Sequence, residues 1–173
     1  MKEFRRIVDQ HRHRVYTFAF YSLGSHEEAE DVTQEVLIRL WQNWTKLDRR
    51  RLPAWLSRVT RNACVDRARQ RRAYSLRVVA GGLGGEMSDG VSVEPSPEAQ
   101  AETKELREHI RRALTKIEEP YRSIMILREI QEMKYEEIAG ALDLPLNTVK
   151  SYLHRGRRML RDQLKETLSY DRA

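Results

Sequence analysis

The sequence predicts an all-α protein in which two small helical domains are joined by a flexible linker. Apolar residues recur at helical spacing on both sides of the linker, and no segment shows the alternation typical of a strand. Between Val79 and Glu102 the chain has five glycines, two prolines and five acidic residues, but no lysine or arginine. Because this composition disfavours regular structure, we expect one domain at 1–75, a linker at 76–100 and a second domain at 101–173.

Charge and composition narrow the choice of partner. The 173-residue chain carries a net charge of +6, which favours a polyanionic partner without separating DNA, RNA and membrane surfaces. The single cysteine, Cys64, excludes an intramolecular disulfide. No apolar run approaches the roughly 18–20 residues of a membrane span, and the N-terminus lacks the apolar core of a signal peptide. We therefore expect a cytoplasmic protein that does not insert into a membrane.

A helix is predicted to begin near Ser25, because Ser25 and Glu28 have the spacing of a capping box. Its predicted buried stripe consists of Val32, Val36, Leu37, Leu40, Trp41 and Trp44. The chain from Gly24 to Glu35 has five acidic residues and no lysine or arginine. The helix dipole accounts for acids in the first turn but not for Glu35. This acidic face indicates a basic partner, and an ordinary solvated face is the alternative.

A second informative helix is predicted from Pro53, a favourable first helical residue. Between Arg49 and Arg72 there are nine arginines and a single acidic residue, Asp66. Four arginines fall near one face, namely Arg58, Arg61, Arg69 and Arg72. Asn62 lies beside them and its amide can pair with a base edge. Trp55 either packs in the core or offers a stacking surface to an unpaired base.

Residues 134–164 have the pattern of a helix-turn-helix, the motif that places its second helix in the DNA major groove. Ile138 and Leu142 share one face of the first helix, and Pro145 marks the turn because proline cannot continue that helix. Asn147 or Thr148 is predicted to cap the second helix. The cationic or polar positions left for its outer face are Lys150, Ser151, His154, Arg155, Arg157 and Arg158. A solvated amphipathic helix is the alternative interpretation.

Three interpretations of function remain open from the residues alone. One is a protein with two nucleic-acid surfaces and a basic partner. Another is a stand-alone DNA-binding regulator, which would need neither the acidic nor the arginine-rich helix. The third is an enzyme that uses His11, His13 or Cys64, although no hydrolase, nucleotide or zinc signature is complete. Since no nucleotide or zinc signature is complete, and the glycine cluster of the linker lacks the lysine and hydroxyl of a phosphate-binding loop, we expect no cofactor and no metal.

Three segments together resemble the extracytoplasmic-function (ECF) sigma factors of bacterial RNA polymerase, the two-domain type of the sigma-70 family. They are AEDVTQEVLIRLWQNW at 29–44, LPAWLSRVTRNACVDRARQRR at 52–72 and PYRSIMILREIQEMKYEEIAGALDLPLNTVKSYLHRGRRML at 120–160. The resemblance covers both domains in order, with the variable linker between them. It implies a sigma region 2 helical bundle at 1–75 and a sigma region 4 helix-turn-helix domain at 101–173.

The resemblance implies a role for each surface. The acidic helix matches the polymerase-binding helix, for which we predict Asp31, Gln34, Glu35 and Arg39. The Pro53 helix and the loop before it match the segment that recognises and melts the −10 element, for which we predict Arg49, Arg50, Trp55, Arg58, Arg61, Asn62, Asp66 and Arg69. The helix-turn-helix matches the −35 reader, for which we predict Asn147, Thr148, Lys150, Ser151, His154, Arg155, Arg157 and Arg158.

The implied function is transcription initiation without catalysis by this chain. The expected partners are bacterial core RNA polymerase, promoter DNA and a separate anti-sigma factor, which can hold such a protein near the membrane. Capturing unstacked −10 bases would stabilise the melted strand, because stacking and hydrogen bonding offset the few kcal/mol that base flipping costs.

Overall fold

The computed structural model describes the backbone of residues 1–80 and 98–170, and the side chains of 1–77 and 104–166. These residues contain seven α-helices and no strand, which confirms the all-α prediction for this part of the chain. The helices are α1 (Lys2–Leu23), α2 (His26–Gln42), α3 (Leu52–Ala80), α4 (Glu98–Lys116), α5 (Tyr121–Met125), α6 (Tyr135–Leu142) and α7 (Leu146–Tyr170). A 3₁₀ turn (Arg49–Arg51) precedes α3, and a π-helical segment (Ile126–Ile130) continues α5. Helices α1–α3 form the first lobe, and α4–α7 form the second.

Most of the predicted linker lies outside the described residues. At its ends the structure differs from the predicted range of 76–100, since α3 continues to Ala80 and α4 begins at Glu98. The physical reason is local propensity: Leu76 and Arg77 on one side, and Glu98 and Ala99 on the other, are good helix formers.

A tight corner joins α1 to α2. Gly24 ends α1 in the left-handed conformation, with φ of 77°, and its N–H donates to the carbonyl of Phe20 at 2.9 Å. A Cβ at this position would also lie 2.6 Å from a guanidinium nitrogen of Arg111. Ser25 then caps α2 as predicted, because its hydroxyl accepts from the N–H of Glu28 at 3.3 Å.

The core of the first lobe follows the predicted stripe of α2 only in part, since Leu37 and Trp44 are half-buried against it and Trp41 is not buried. Val32, Val36 and Leu40 are fully buried, each stabilising the fold by about 1.5–3 kcal/mol relative to exposure. Trp41 was predicted to be buried in the same stripe, and this is wrong, because 51% of it is exposed. It packs edge-on against Phe4 of α1, with ring centroids 4.9 Å apart, and about half of its surface remains exposed.

The second lobe encloses its own apolar residues between α4, α5, α6 and α7. The largest fully buried side chains there are Leu114, Ile124, Met125, Ile126, Leu127, Ile138 and Leu153. Gly156 allows α7 to approach α5 closely, since a Cβ there would lie 2.7 Å from Cγ of Met125. The second helix of the predicted motif is therefore held firmly against the lobe.

The helix-turn-helix forms as predicted, but its second helix begins earlier than expected. Asp143 ends α6 in the left-handed conformation, with φ of 56°, which aspartate tolerates better than most residues. Helix α7 starts at Leu146, where the Pro145 carbonyl accepts from the N–H groups of Thr148 and Val149 at 2.9 and 3.1 Å. The predicted capping role of Asn147 or Thr148 is thus wrong, because both already lie within the first turn.

The C-terminus of α1 is satisfied by arginines from three other helices. Arg71 of α3 donates to the carbonyl of Leu23 at 3.3 Å, and Arg122 of α5 donates to that of Ser22 at 2.9 Å. Arg111 of α4 donates to the carbonyl of Gly24. The last carbonyls of a helix lack intrahelical partners and carry partial negative charge, so these cations stabilise the helix end. Two of the three arginines belong to the second lobe.

Candidate interaction surfaces

The acidic α2 surface comprises Asp31, Gln34, Glu35 and Arg39. It faces solvent because the buried stripe of α2 occupies the opposite side of the helix. Arg39 donates to Glu35 at 2.5 Å, one turn away, which offsets the repulsion between Glu35 and Asp31. Asp31 pairs with Arg67 of α3 at 3.3 Å. The four predicted residues therefore lie on one side of α2, and Asp31 and Gln34 remain exposed.

An apolar groove runs beside the acidic α2 surface, and sequence reasoning missed it. The groove has a volume of about 560 Å³, and its apolar lining consists of Phe4, Val8, Leu37, Ile38 and Trp41. Ile38 and Trp41 are each about half exposed, at 50% and 51%. One helical face of α2 contains Asp31, Gln34, Ile38 and Trp41, which are three or four residues apart. This spacing is the feature of the sequence from which the groove could have been predicted. A partner can thus combine polar contacts with burial of a tryptophan.

The basic α3 surface comprises Arg58, Arg61, Asn62, Asp66 and Arg69. Asn62, Asp66 and Arg69 are exposed, and Arg69 lies 3.8 Å from the carboxylate of Asp66. Arg58 and Arg61 lie at the side of this surface that meets the second lobe. Arg58 donates to the carbonyls of Ala141 and Gly140, at 2.9 and 3.3 Å, and Arg61 is 4.0 Å from Glu119.

The loop before α3 uses one of its three arginines for its own folding. Arg49 donates to the carbonyls of Trp44 and Leu47, at 2.7 and 2.9 Å. Its guanidinium carbon also lies 3.5 Å from the centre of the Trp44 ring, a cation–π geometry. Arg50 and Arg51 are exposed, whereas Trp55 is half-buried against the core. The ring of Trp55 is therefore not freely available for stacking on a base. Arg50 is better placed than Arg49 to contact a ligand, because Arg49 is bound within the loop.

The outer face of α7 carries the predicted −35 residues. Lys150, Ser151, His154 and Arg158 are exposed, as is Asn147, while Thr148 is half-buried. Arg155 is exposed and reaches the hydroxyl of Tyr121 at 3.5 Å. Arg157 instead pairs with Glu129 of the π-helical segment at 2.8 Å, and this hydrogen bond raises the pKa of Arg157. Arg157 is thus less available to a phosphate than its neighbours.

Burial limits two of the three residues considered for enzyme chemistry. Cys64 is 1% exposed, and burial raises the pKa of its thiol to about 12, so it is neither nucleophilic nor accessible. His11 is half-buried, and burial together with Arg14 lowers its pKa. Within the described residues, no group of three or more His, Cys, Asp or Glu side chains has the geometry to hold a metal ion. No helix in this part of the chain is long and apolar enough to cross a membrane.

Comparison with known proteins matches two family models to this chain. Residues 7–74 match the family model of Sigma-70 region 2, and residues 107–160 match that of Sigma-70, region 4. The first match contains the acidic α2 and basic α3 surfaces, and the second contains the helix-turn-helix. Together they define a sigma-70-type transcription factor.

Two similar proteins identify the subfamily of sigma factors to which the chain belongs. It is 35% identical over 171 residues to the ECF RNA polymerase sigma factor SigW of Bacillus subtilis, covering 94% of this chain and 89% of that one. It is 33% identical to the ECF sigma factor SigE of Mycolicibacterium smegmatis, covering 95% of this chain but 62% of that longer protein. The chain therefore belongs to the ECF family of RNA polymerase sigma factors.

A solved structure shares the fold. The sigma factor RpoE from Bartonella quintana, crystallised with the anti-sigma factor NepR, superimposes with a TM-score of 0.73. The match covers 95% of this chain and 98% of that chain, at 23% sequence identity.

Proposed function

We propose that the protein binds bacterial core RNA polymerase, directs it to promoters with specific −35 and −10 elements, and helps to melt the −10 region. The observation that carries the proposal is the separation of three surfaces on one fold: an acidic surface with a neighbouring apolar groove on α2, an arginine-rich surface on α3, and a cationic α7. The domains proposed to carry them are 1–75 and 101–173, with a linker at 76–100. Chemistry would belong to the polymerase.

The polymerase contact is assigned to the acidic α2 surface and the groove beside it. Charged groups at the edge of an interface steer association and select the partner, whereas a tryptophan that becomes buried supplies much of the binding energy. Asp31, Gln34 and Glu35 would serve the first purpose and Trp41 the second. Arg39 would keep Glu35 oriented through their hydrogen bond.

The −10 contact is assigned to the basic α3 surface and the loop before it. Exposed Asn62 has the donor and acceptor groups needed to read the edge of an unpaired base. Arg50 and Arg69 are exposed and suited to the phosphates of the displaced strand. Arg58 is exposed but donates to two carbonyls of the second lobe, and Arg61 lies near Glu119, so both would have to leave these partners to contact DNA.

The −35 contact is assigned to α7. A recognition helix reads base edges with the residues near its N-terminus, and these include Asn147, Lys150, Ser151 and His154. Lysine and arginine side chains pair well with guanine edges and with phosphates. Arg155 and Arg158 lie further along the helix and would contact the backbone.

A separate anti-sigma factor is proposed as the inhibitor. RpoE, which shares this fold over nearly the whole chain, was crystallised with its anti-sigma factor NepR. Because the polymerase works in the cytoplasm, we place the action of this protein there, with an anti-sigma factor able to hold it near the membrane. Purification from the native host should recover an inhibitor as well as polymerase, and repeated recovery of polymerase alone would contradict this part of the proposal.

The decisive experiment is transcription in vitro from a pool of bacterial promoter fragments, with core polymerase in the presence or absence of the protein. Protein-dependent transcripts with defined start sites are expected, and the sequences upstream of those sites would reveal both elements. The doubly reversed variant Asp31→Lys/Glu35→Lys is the matched negative control. Absence of transcripts, together with absence of comigration with core polymerase, would overturn the proposal in favour of a stand-alone DNA-binding regulator.

A further inference from the structure

Two arginines lie on opposite edges of the outer face of α7, and the fold holds them in different ways. Arg155 lies on one edge and Arg157 on the other, because two residues turn an α-helix by about 200°. Arg155 donates to the hydroxyl of Tyr121 at 3.5 Å, and the Tyr121 ring packs edge-on against Tyr152, with centroids 5.1 Å apart. A phenol hydroxyl is neutral, so Arg155 keeps its full charge towards a ligand.

Arg157 is paired with a carboxylate instead. Its Nε and Nη2 each lie 2.8 Å from the same oxygen of Glu129, which belongs to the π-helical segment. Hydrogen bonding to Glu129, and to a lesser degree to Tyr135, raises the pKa of Arg157. The charge of Arg157 is therefore compensated by the protein before any DNA arrives.

Without this partner Arg157 would extend a row of cationic side chains along α7. The row consists of Lys150, His154, Arg157 and Arg161, which follow one another at intervals of three or four residues and so share one side of the helix. The other three members are exposed, and the side chain of Arg157 is itself 47% exposed. Burial therefore does not keep Arg157 from a phosphate, but its pairing with Glu129 does.

The π-helical segment gives Glu129 its position. The N–H of Gln131 donates to the carbonyl of Ile126 at 3.0 Å, so the turn is wider than that of an α-helix. Ile126 and Leu127 are fully buried on the inner side of this turn, and Glu129 extends outwards to α7. Such segments occur frequently at functional sites, which supports a role for this carboxylate beyond solvation.

We infer that Glu129 is a specificity-determining residue of the −35 helix, a role that rests on the proposed function. It holds Arg157 away from DNA phosphates and thereby limits binding to DNA of arbitrary sequence. Phosphate contacts supply essentially all of the affinity for non-cognate DNA, whereas base contacts also hold a cognate site. Since base contacts fix the register of α7 on a cognate site, an additional cation at its edge gains less there than on DNA where the helix can shift.

The test uses the full chain and the near-isosteric variant Glu129→Gln. Binding is measured at several salt concentrations, to a duplex that carries the mapped −35 sequence and to a duplex of scrambled sequence. Affinity for the scrambled duplex should rise about threefold near 0.15 M salt, and the slope of log affinity against log salt should steepen by about 0.9, the increment for one phosphate contact. Affinity for the cognate duplex should rise by less than about 1.5-fold, so that discrimination falls about twofold.

Two controls separate the ion pair from a general change in charge. Glu132→Gln makes the same change in net charge at an exposed position three residues away and should leave discrimination unchanged. Glu129→Gln/Arg157→Ala also removes the released cation, so the gain on scrambled DNA should disappear. All three side chains are exposed, and circular dichroism should show that every variant is folded.

The outcomes distinguish the role of Glu129 from the proposed function. Unchanged affinity of Glu129→Gln for scrambled DNA, an equal gain on both duplexes, or a gain that persists in the double variant would overturn the specificity role. A wild type that does not discriminate between the two duplexes would contradict the assigned −35 function. A gain on scrambled DNA that Arg157→Ala abolishes would, even then, support the conclusion that Glu129 withholds Arg157 from DNA.

Discussion

Arg122 in the second lobe donates from Nη1 to the backbone carbonyl of Ser22 in the first lobe, at 2.9 Å. The same guanidinium donates from Nε to the carbonyl of Ile117 at 2.7 Å, and its side chain is 15% exposed. Burial lowers the pKa of Arg122, which reflects the cost of removing this charge from water. One largely buried arginine therefore bridges the end of α1 and the turn that follows α4.

Substitution of Arg122 should destabilise the protein strongly. Arg122→Ala leaves two carbonyls without their donor, and the expected loss is about 3 kcal/mol in the free energy of unfolding. Urea denaturation followed by circular dichroism measures it. Arg112→Ala is the matched control, because Arg112 is 45% exposed and its only described ion pair, with Glu108, is 3.7 Å long. An equal loss in the two variants would contradict the bridging role.

Charge reversal on the acidic α2 surface should abolish polymerase binding without unfolding the protein. Asp31→Lys/Glu35→Lys replaces two exposed or half-exposed carboxylates by ammonium groups, so steering and pairing with a basic partner are both lost. Comigration with core polymerase on gel filtration is the measurement. Glu118→Lys/Glu132→Lys makes the same change in net charge at exposed positions of the second lobe and should still comigrate.

Trp41 should contribute to polymerase binding more than to folding. Because it is half exposed in the free chain, Trp41→Ala should weaken affinity by tenfold or more and change stability by less than about 1 kcal/mol. Binding of immobilised core polymerase measures the affinity. Tyr74→Ala, another exposed aromatic, serves as the comparison, and a weaker effect at Trp41 than at Tyr74 would remove the groove from the interface.

Removing two cations from α7 should weaken binding to −35 duplexes and reduce its dependence on salt. Each phosphate contact releases condensed counterions, so loss of the Arg155 contact in Lys150→Ala/Arg155→Ala should lower the slope of log affinity against log salt by about 1, while loss of the Lys150 base contact weakens binding further. Titrations at several salt concentrations measure this slope. Arg157→Ala should change it less, since Arg157 is paired with Glu129, and a larger change for Arg157 would reverse the assignment.

The raised pKa of the buried Cys64 thiol predicts a loss of stability at high pH. Its pKa is about 12 in the folded protein and 9.0 as the reference, so the unfolded chain loses the proton first as pH rises. Stability should therefore fall between about pH 9 and 12, by at most about 1.4 kcal/mol per pH unit from this group. Urea midpoints of the wild type and Cys64→Ala are measured across this pH range. Tyrosines and lysines titrate in both proteins, so the difference between the two midpoints reports the thiol alone. A difference that stays constant with pH would contradict the prediction.

Sequence reasoning succeeded where periodicity and local chemistry decide the structure. The buried residues of α2, the Ser25 cap and the helix-turn-helix all follow from spacing within a few turns of chain. It failed at Trp41, because periodicity gives the direction of a side chain but not whether another element covers it. The start of α7 was misplaced because the Pro145 carbonyl, which has no side-chain signal, accepts the first hydrogen bonds.

The sequence indicated which residues belong to each candidate surface, but not which contacts those residues make in the folded protein. Arg49 folds back on Trp44, Arg157 pairs with Glu129, and Arg58 reaches the end of α6. Each of these contacts joins an arginine to a group that its own helix does not contain. A long, flexible cation has many acceptors within reach, so only the three-dimensional arrangement selects among them.

Four hydrogen bonds between the lobes join an arginine side chain to a main-chain carbonyl, so only the donor residue of each depends on the sequence. The carbonyls of Ser22, Gly24, Gly140 and Ala141 persist whichever residues occupy those positions, provided the backbone keeps its path. Substitutions at the acceptor positions should then leave the contact between the lobes nearly intact, whereas a single substitution at Arg58, Arg111 or Arg122 alters it. Divergence among relatives can therefore change the strength of this contact at a few donor positions, without redesigning either lobe.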